Sequence, residues 1–300
     1  MSGQLKEVRN RIKSVTSTQQ ITKAMKMVSV AKLRRAQDAI IQMRPYALKL
    51  QEMLQNIVSN SEGDIDLALA ANRPVEKVLI VLITSDRGAC GAYNSNLIKL
   101  ARTTIREKYA EQFAKGQVTI MPIGKKGYEF FQKNGGYKTI DNYWHLFSSF
   151  SFENVKQAAA VAMEGFMKGE FDAVEIVYSH FKNAGTQIFM AEQFLPIAKV
   201  ENTQAPAGKK KAIKADFIFE PAKDTLVAEL MPMILNTQFF KAMLDANASE
   251  HGARMTAMDK ATENANELLR SLKLSYNRAR QAAITTELTE IVSGAAALVS

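Results

Sequence analysis

The 300-residue sequence is nearly devoid of cysteine, tryptophan and histidine, with one Cys, one Trp and three His. The lone cysteine, Cys90, excludes a disulfide within the chain. Beside Gly88 and Gly91 it has the surroundings of a nucleophile, but a small buried thiol is the commoner use of such a residue. His145, His180 and His251 stand at no ligand spacing, so metal catalysis has no support and no metal or cofactor is expected. No apolar run approaches the roughly 20 residues that span a bilayer. The start, MSGQLKEVRNRIKSV, has neither an apolar signal core nor an acid-free transit composition. The chain therefore reads as soluble, with the cytoplasm or an equivalent compartment as the default.

Positive charge, by contrast, is plentiful. The net charge is +9. The first helical stretch carries Lys6, Arg9, Arg11, Lys13, Lys23, Lys26, Lys32, Arg34 and Arg35 against Glu7 and Asp38. Such an excess reads either as a solvated face or as a surface for an anionic partner: nucleic acid, lipid headgroups or an acidic protein loop.

Three blocks separate along the chain. Residues 1–58 are helical by pattern, with apolar residues three and four apart at Leu5, Val8, Ile12 and Val15. The spacing returns from Leu33 through Ala36, Ile40, Met43, Ala47, Leu50, Leu54 and Ile57. Between these runs the frame falls on Gln19, Thr22, Lys26 and Ser29, while Ile21, Met25 and Val28 lie on a neighbouring face. This predicts a coiled coil whose contact face slips locally. Pro45 predicts a kink or short break.

The middle block, residues 75–200, alternates strands with helices. VEKVLIVLITSD reads as a buried parallel strand, followed by a helix over NSNLIKLARTTIREKYAEQF capped by Asn94 or Ser95. QVTIMPIG, DAVEIVYSHF and TQIFMAEQFLPI supply further strands, and FENVKQAAAVAMEGFMKGEF another helix. The pattern predicts an α/β domain, Rossmann-like in its doubly wound style. Residues 201–220 read as an exposed Lys-rich linker, with a short strand at FIFEP. Residues 221–300 form the last block, helical to the end, with Pro232 as a local break. From Met255 a heptad seam runs through Met258, Thr262, Ala265, Leu269, Leu272, Tyr276, Ala279, Ala283 and Thr286.

Length arithmetic gives the expected arrangement. A globular domain of this size has a radius of gyration of about 19 Å. Helices over 1–58 and 222–296 would be roughly 87 Å and roughly 110 Å long at about 1.5 Å per residue. They must project from the middle block and pair with each other, antiparallel because they leave it in opposite chain directions. The fold class expected is thus α/β, with a long antiparallel coiled coil of the N- and C-terminal helices. The C-terminal helix is the longer, so its end, RQAAITTELTEIVSGAAALVS, outruns its partner. The apolar residues there, Ile284, Leu288, Ile291, Val292 and Ala295, then need a surface from another chain.

A search for chemistry returns little. TSDRGACGAYNSN is a Gly-containing turn between strand and helix, where doubly wound folds often bind ligands. It matches neither G-x-G-x-x-G nor G-x-x-x-x-G-K-[ST], and PIGKKGYEFF is similarly incomplete. Asp86 and Arg87 can pair there as a structural ion pair. Glu287 and Glu290, three apart on one helix face, have the spacing of an acid/base pair but the setting of a hydrogen-bonding face. With Arg278, Arg280, Gln281 and Thr285 they form a series of polar handles suited to another protein.

QITKAMKMVSVAKLRRAQ near the start, and ARMTAMDKATENANELL and SYNRARQAAITTELTEIVSGAAAL near the end, resemble the γ subunits of F-type ATP synthases. SDRGACGAYNSNLI resembles that family's first strand-turn-helix. The resemblance implies a rotor shaft without catalytic residues, turned by a proton-driven ring of membrane c subunits inside a ring of α and β subunits. It implies one copy per complex, contact with the α, β and ε subunits and the c-ring, membrane association through the complex only, and no nucleic acid. It also implies a peripheral location, on the cytoplasmic face of a bacterial plasma membrane or the matrix or stroma side of an organellar inner membrane. By the same resemblance, Met25 and Lys26 pass an acidic loop of a β subunit, with Arg254 at a comparable level. Arg280 and Gln281 match a pair that hydrogen-bonds a β-subunit catch loop, and Thr285, Glu287 and Glu290 match positions near the upper bearing. Ala92 stands where the family commonly has a second Gly after the Cys, and His251 where it commonly has Gln. No Cys-containing insert of the chloroplast kind is present.

Two other readings start from the residues alone. A basic coiled coil that binds nucleic acid would fit the charge, but the first helix has no aromatics for base stacking before Tyr46. A nucleotide-dependent α/β protein would use the turn from Asp86 to Gly91.

Overall fold

The computed structural model describes residues 2–59, 69, 73–197 and 223–299. The linker at 201–220 and the FIFEP strand expected from sequence lie outside these residues. The chain divides into two compact units, one of Met1–Ala31 with Arg254–Ser300 and one of Lys32–Ala253. Helices α1 (Ser2–Ser59) and α6 (Lys223–Val299) each contribute to both.

The second unit is built on a five-stranded sheet. Its elements are β1 (Val78–Ile83), α2 (Tyr93–Lys108), α3 (Ala110–Ala114), β2 (Val118–Ile123), α4 (Lys125–Lys133), β3 (Lys138–Thr139), α5 (Phe152–Met167), β4 (Ala173–Asn183) and β5 (Thr186–Leu195). The strand order is β3-β2-β1-β4-β5. All neighbours are parallel except β5, which returns antiparallel along β4. Strand β1 reads VLIVLI without alternation because both of its faces are covered. Leu79, Val81 and Ile83 point into a core with Val155, Ala158 and Phe166 of α5 and Leu235, Phe239 and Met243 of α6. Val78, Ile80 and Leu82 point the other way, towards Leu97, Ala101 and Ile105 of α2 and Phe131 of α4.

Local chemistry departs from expectation at several places, and the one helix expected over NSNLIKLARTTIREKYAEQF divides at Tyr109 into α2 and α3. Helix α2 begins at Tyr93 after Ala92, so neither Asn94 nor Ser95 is its cap. Asn94 instead accepts from the Ser85 amide at 3.0 Å and donates to Ser85 Oγ at 2.7 Å, drawing the helix back onto the loop before it. Helices α1 and α6 continue through Pro45 and Pro232, where breaks were expected. Each proline removes one helical hydrogen bond, but packing holds the backbone, with Met231 and Leu235 on either side of Pro232 in the core.

The PIGKKG turn explains itself through its amides. Gly124 donates to Trp144 O at 2.9 Å, Lys125 to Asp86 Oδ1 at 3.1 Å, Lys126 to Ser85 O at 3.1 Å and Gly127 to Thr84 Oγ1 at 2.8 Å. A phosphate-binding turn leaves such amides for its ligand; here they hold β1 and β2 together. Gly124 has φ 97°, and a Cβ there would meet Thr84 O at 2.2 Å, so only glycine fits.

Helix α6 is tied to the sheet by directional bonds as well as by its apolar face. Asp245 Oδ2 lies 2.7 Å from His180 Nδ1, Ser249 Oγ donates to Ser179 O at 3.0 Å, and Tyr93 OH donates to Ala246 O at 3.0 Å. Glu192 accepts from both Tyr178 OH (2.8 Å) and Gln238 Nε2 (3.0 Å). Apolar packing alone lets a helix turn about its axis at small cost, whereas hydrogen bonds fix its rotation.

In the first unit α1 and α6 pair antiparallel. Arg9 donates to Tyr276 OH at 3.1 Å, Gln19 to Asn266, and Lys26 to Asp259, while the Thr22 and Thr262 hydroxyls meet at 2.8 Å. Seventeen residues forward from Arg9 to Lys26 match seventeen back from Tyr276 to Asp259. The partner seam on α6 is the expected one, with Met258, Ala265, Leu269 and Leu272 buried. On α1 the expected slip of phase is absent. Thr22 and Ser29 are the buried residues, at 8% and 2% exposure, while Ile21 and Val28 stand 57% and 58% exposed. The apolar layers at Leu5, Val8, Ile12 and Val15 fix the rotation of α1, and the seam stays in frame through polar residues. Their burial is offset locally, since Thr22 also bonds Gln19 O at 3.0 Å and Ser29 bonds Met25 O at 2.8 Å.

Asp245 gives a pH test of the ties between α6 and the sheet. Burial raises its carboxyl above the usual range, opposed by His180, Lys241 and Arg44. A carboxyl raised in the folded state contributes most to stability below its unfolded value, about 3.9, and loses that contribution as pH rises through the folded value. The unfolding free energy of Asp245→Asn, relative to wild type, should therefore shift in the variant's favour as pH rises across that window. Denaturant titrations at several pH values read this directly, and a shift of opposite sign contradicts it.

Candidate partner-binding surface on the helix pair

Three successive polar layers, Gln19 with Asn266, Thr22 with Thr262 and Lys26 with Asp259, occupy the middle of the seam in this unit. Because they face inward, most apolar residues of the same stretch face outward, Met25 being half-buried. Ile21 and Val28, a heptad apart, are exposed together with Met27 and Val30. Lys23 is exposed among them. An apolar face interleaved with cations, on a helix whose other face is already occupied, suits a partner that is itself amphipathic and acidic.

The second exposed region is the end of α6. In the register set by the cross-helix bonds, the residue opposite Ser2 is near Ala283, so α6 continues beyond the start of α1. Past Thr286 every residue through Ala295 is exposed. Ile284, Leu288, Ile291 and Val292 form one apolar stripe, the last two at 63% and 66% exposure. The Thr286 and Thr289 hydroxyls bond back to Ala282 O and Thr285 O, at 3.0 Å and 2.8 Å. Their polar groups are thereby folded against the helix, leaving its surface slender and smooth.

The residues singled out from sequence fall into two groups. Met25 is half-buried, Lys26 is half-buried and ion-paired with Asp259, and Arg254 is buried. Arg280, Gln281, Thr285, Glu287 and Glu290 are all exposed on the terminal stretch. The structure does not bring the two groups together, and they lie at successive levels along one helix pair. Sequence reasoning missed Asp259 as the partner of Lys26, because only the antiparallel register pairs residues so far apart. It also missed Ile21, Met27, Val28 and Val30 as an outward face. The signal was available, since an unbroken three-four frame from Leu5 to Ser29 excludes Ile21 and Val28 from the seam. Among the described residues no three His, Cys, Asp or Glu side chains gather as a metal site, and no helix is long and apolar enough to cross a membrane.

Comparison with known proteins adds relatives along the whole chain. The family model described as ATP synthase matches residues 4–298. The ATP synthase γ chain of Cytophaga hutchinsonii is 53% identical over 294 residues, covering 98% of each chain. The γ chains of Flavobacterium johnsoniae and Chlorobaculum parvum are 52% and 50% identical, again with 98% of each chain covered. Among solved structures, a chain of the Euglena gracilis mitochondrial ATP synthase rotor has TM-score 0.62 at 24% identity, over 95% of this chain and 100% of that one. A chain from the same organism's OSCP/F1/c-ring assembly has TM-score 0.64 at 23% identity, over 99% and 95%. At these identities the solved structures speak for the fold alone.

The burial pattern makes a prediction about stability. Leu269→Ala, which empties a buried seam position, should cost about 2–5 kcal/mol. Ile21→Ser or Val28→Ser should change stability by no more than about 0.5 kcal/mol. Chemical denaturation of the full chain separates these, and equal losses would show that the seam includes Ile21 and Val28 after all.

Proposed function

We infer the role of this chain from its family: it belongs to the ATP synthase γ chains, and we propose that it is the central-stalk rotor of an F-type ATP synthase. In this reading it carries rotation from a proton-driven c-ring to the catalytic α/β ring and holds no catalytic residue itself. The observation that carries the proposal is the α6 end, an apolar stripe that no described residue of the chain covers beyond the start of α1. A sleeve made by the α and β subunits would bury that stripe. Ala282, Ala283 and Ala295 among the bulkier residues keep the tip narrow enough to turn inside it.

The other contacts follow from the chemistry of the helix pair. Lys26 and Met25, with Arg254 at a similar level, would meet an acidic loop of a β subunit. The Lys26–Asp259 pair is partly exposed, at 37% and 46% for the two side chains, and such pairs are worth about 0–1 kcal/mol. An incoming carboxylate therefore competes for Lys26 at small cost, which suits a contact that is made and broken in each turn. Arg280 and Gln281 would hydrogen-bond a β-subunit loop, and Thr285, Glu287 and Glu290 would line the bearing. The ε subunit and c-ring are its further partners, with one copy of the chain per complex, no nucleic acid and no cofactor. Its membrane association is through the complex, on the cytoplasmic face of a bacterial plasma membrane or its organellar counterpart.

Affinity-tagged chain expressed in its own cell should co-purify with α, β and ε subunits at one copy per complex. Isolation as a sharply melting monomer without them would sink the reading. In the assembled complex, Arg280→Ala or Gln281→Ala should lower ATP turnover more than Lys260→Ala, which alters an exposed lysine. Met25→Lys adds a second cation towards the acidic loop and should reduce the protons pumped per ATP hydrolysed. Unchanged pumping per ATP would remove Met25 from that contact.

A further inference from the structure

The sheet unit carries a second surface that the rotor reading does not use. Between α2 and α4 runs a groove of about 430 Å³ lined by Ser95, Ile98, Lys99, Arg102, Thr103, Arg106 and Phe130. Positions 99, 102 and 106 of α2 lie on one helix flank and span roughly 10 Å at about 1.5 Å per residue. No carboxylate lines the groove. Several other cations of this unit have acidic partners: Lys108 with Glu175, Lys126 with Glu129, Lys168 with Glu164 and Arg73 with Asp172. Lys99, Arg102 and Arg106 have no ion pair or hydrogen-bond partner for their side chains among the described residues. Beneath them lie the apolar side chains of Ile98 and Phe130, both half-buried.

We propose that this groove docks an acidic amphipathic helix of a partner protein. The arrangement of the cations decides the class of ligand. A single phosphate is held by donors that converge on one point, whereas these three are strung along a helix. A row of that length matches carboxylates at every turn of an opposing helix, spaced three or four residues apart. An apolar residue between those carboxylates would seat on Ile98 and Phe130, with Ser95 and Thr103 offering hydroxyls beside it. Single-stranded nucleic acid would need successive aromatic faces for stacking, and Phe130 is the only ring in the lining. The contacts are solvent-exposed, so binding should be moderate in strength and weakened by salt.

The test uses the full chain and a fluorescein-labelled helical peptide with glutamates three and four residues apart around a central leucine, followed by anisotropy. Saturable, salt-sensitive binding is expected. Arg102→Glu with Arg106→Glu should weaken it at least tenfold, while Lys115→Glu with Lys138→Glu, the same charge change elsewhere, should leave it within twofold. Phe130→Ala should weaken binding severalfold without changing its salt dependence, because it removes the apolar seat and no charge. Trp144 stacks on Tyr128 of α4 with ring centroids 5.5 Å apart, so its emission verifies that each variant keeps α4 in place. If the charge reversal disturbs that emission, Lys99→Gln replaces it, with a smaller loss expected. Pyrophosphate and phosphatidylglycerol vesicles serve as competitors and should not displace the peptide. Displacement by either, equal affinity of the reversed variant, or no saturable binding up to about 1 mM would overturn the proposal.

Discussion

A seam that repeats every three and four residues can face only one direction, and the helix-pair unit follows from that constraint. Once Leu5, Val8, Ile12 and Val15 of α1 are turned towards α6, the rotation of the helix is set for the turns that follow. Gln19, Thr22, Lys26 and Ser29 are carried inward whether or not they are apolar, and Ile21 and Val28 are carried outward. The polar layers then become tolerable because each finds a partner: Asn266, Thr262, Asp259 or a carbonyl of its own helix. The outward apolar face is the other side of the same event. An exposed apolar face arises here without any dedicated binding motif.

The sheet unit uses its polar groups to hold itself together. The amides of the β2–α4 turn, which in a nucleotide-binding protein would await a phosphate, are taken by Trp144, Asp86, Ser85 and Thr84. The loop before α2 is occupied in the same way by Asn94 and Ser85. This accounts for two Gly-containing turns that resemble ligand sites yet fit no ligand pattern. The sheet also grips α6 through His180, Ser179 and Glu192, and α2 does so through Tyr93, at bonds whose direction resists rotation of the helix. The directional bonds matter because packing of smooth apolar faces resists separation far better than it resists turning.

Much of the architecture was legible in one dimension. The period of β1 and its neighbours marked a buried parallel sheet, and the α6 heptads from Met258 to Tyr276 marked a seam that the structure keeps. The prolines misled because a penalty of about 3 kcal/mol at one position does not by itself end a helix, and at Pro232 the core packing of Met231 and Leu235 opposes it. The cap of α2 misled because an Asn near a helix start has other amides to bond, and only the fold shows which are near. Of the candidate surface, the exposed tip with Arg280, Gln281, Thr285, Glu287 and Glu290 could be inferred from relative helix length. The engagement of Lys26 by Asp259 could not, since it joins residues more than two hundred positions apart.

By itself the sequence determined the longer secondary elements, the antiparallel partnership of its two ends and membership of a family, because periodicity and motif are properties of neighbouring residues. The tertiary structure alone decided which of two adjacent faces of α1 turns inward, which cations acquire carboxylates and which stay open along α2. Those choices depend on what another segment presents at the same place. No local pattern contains that information.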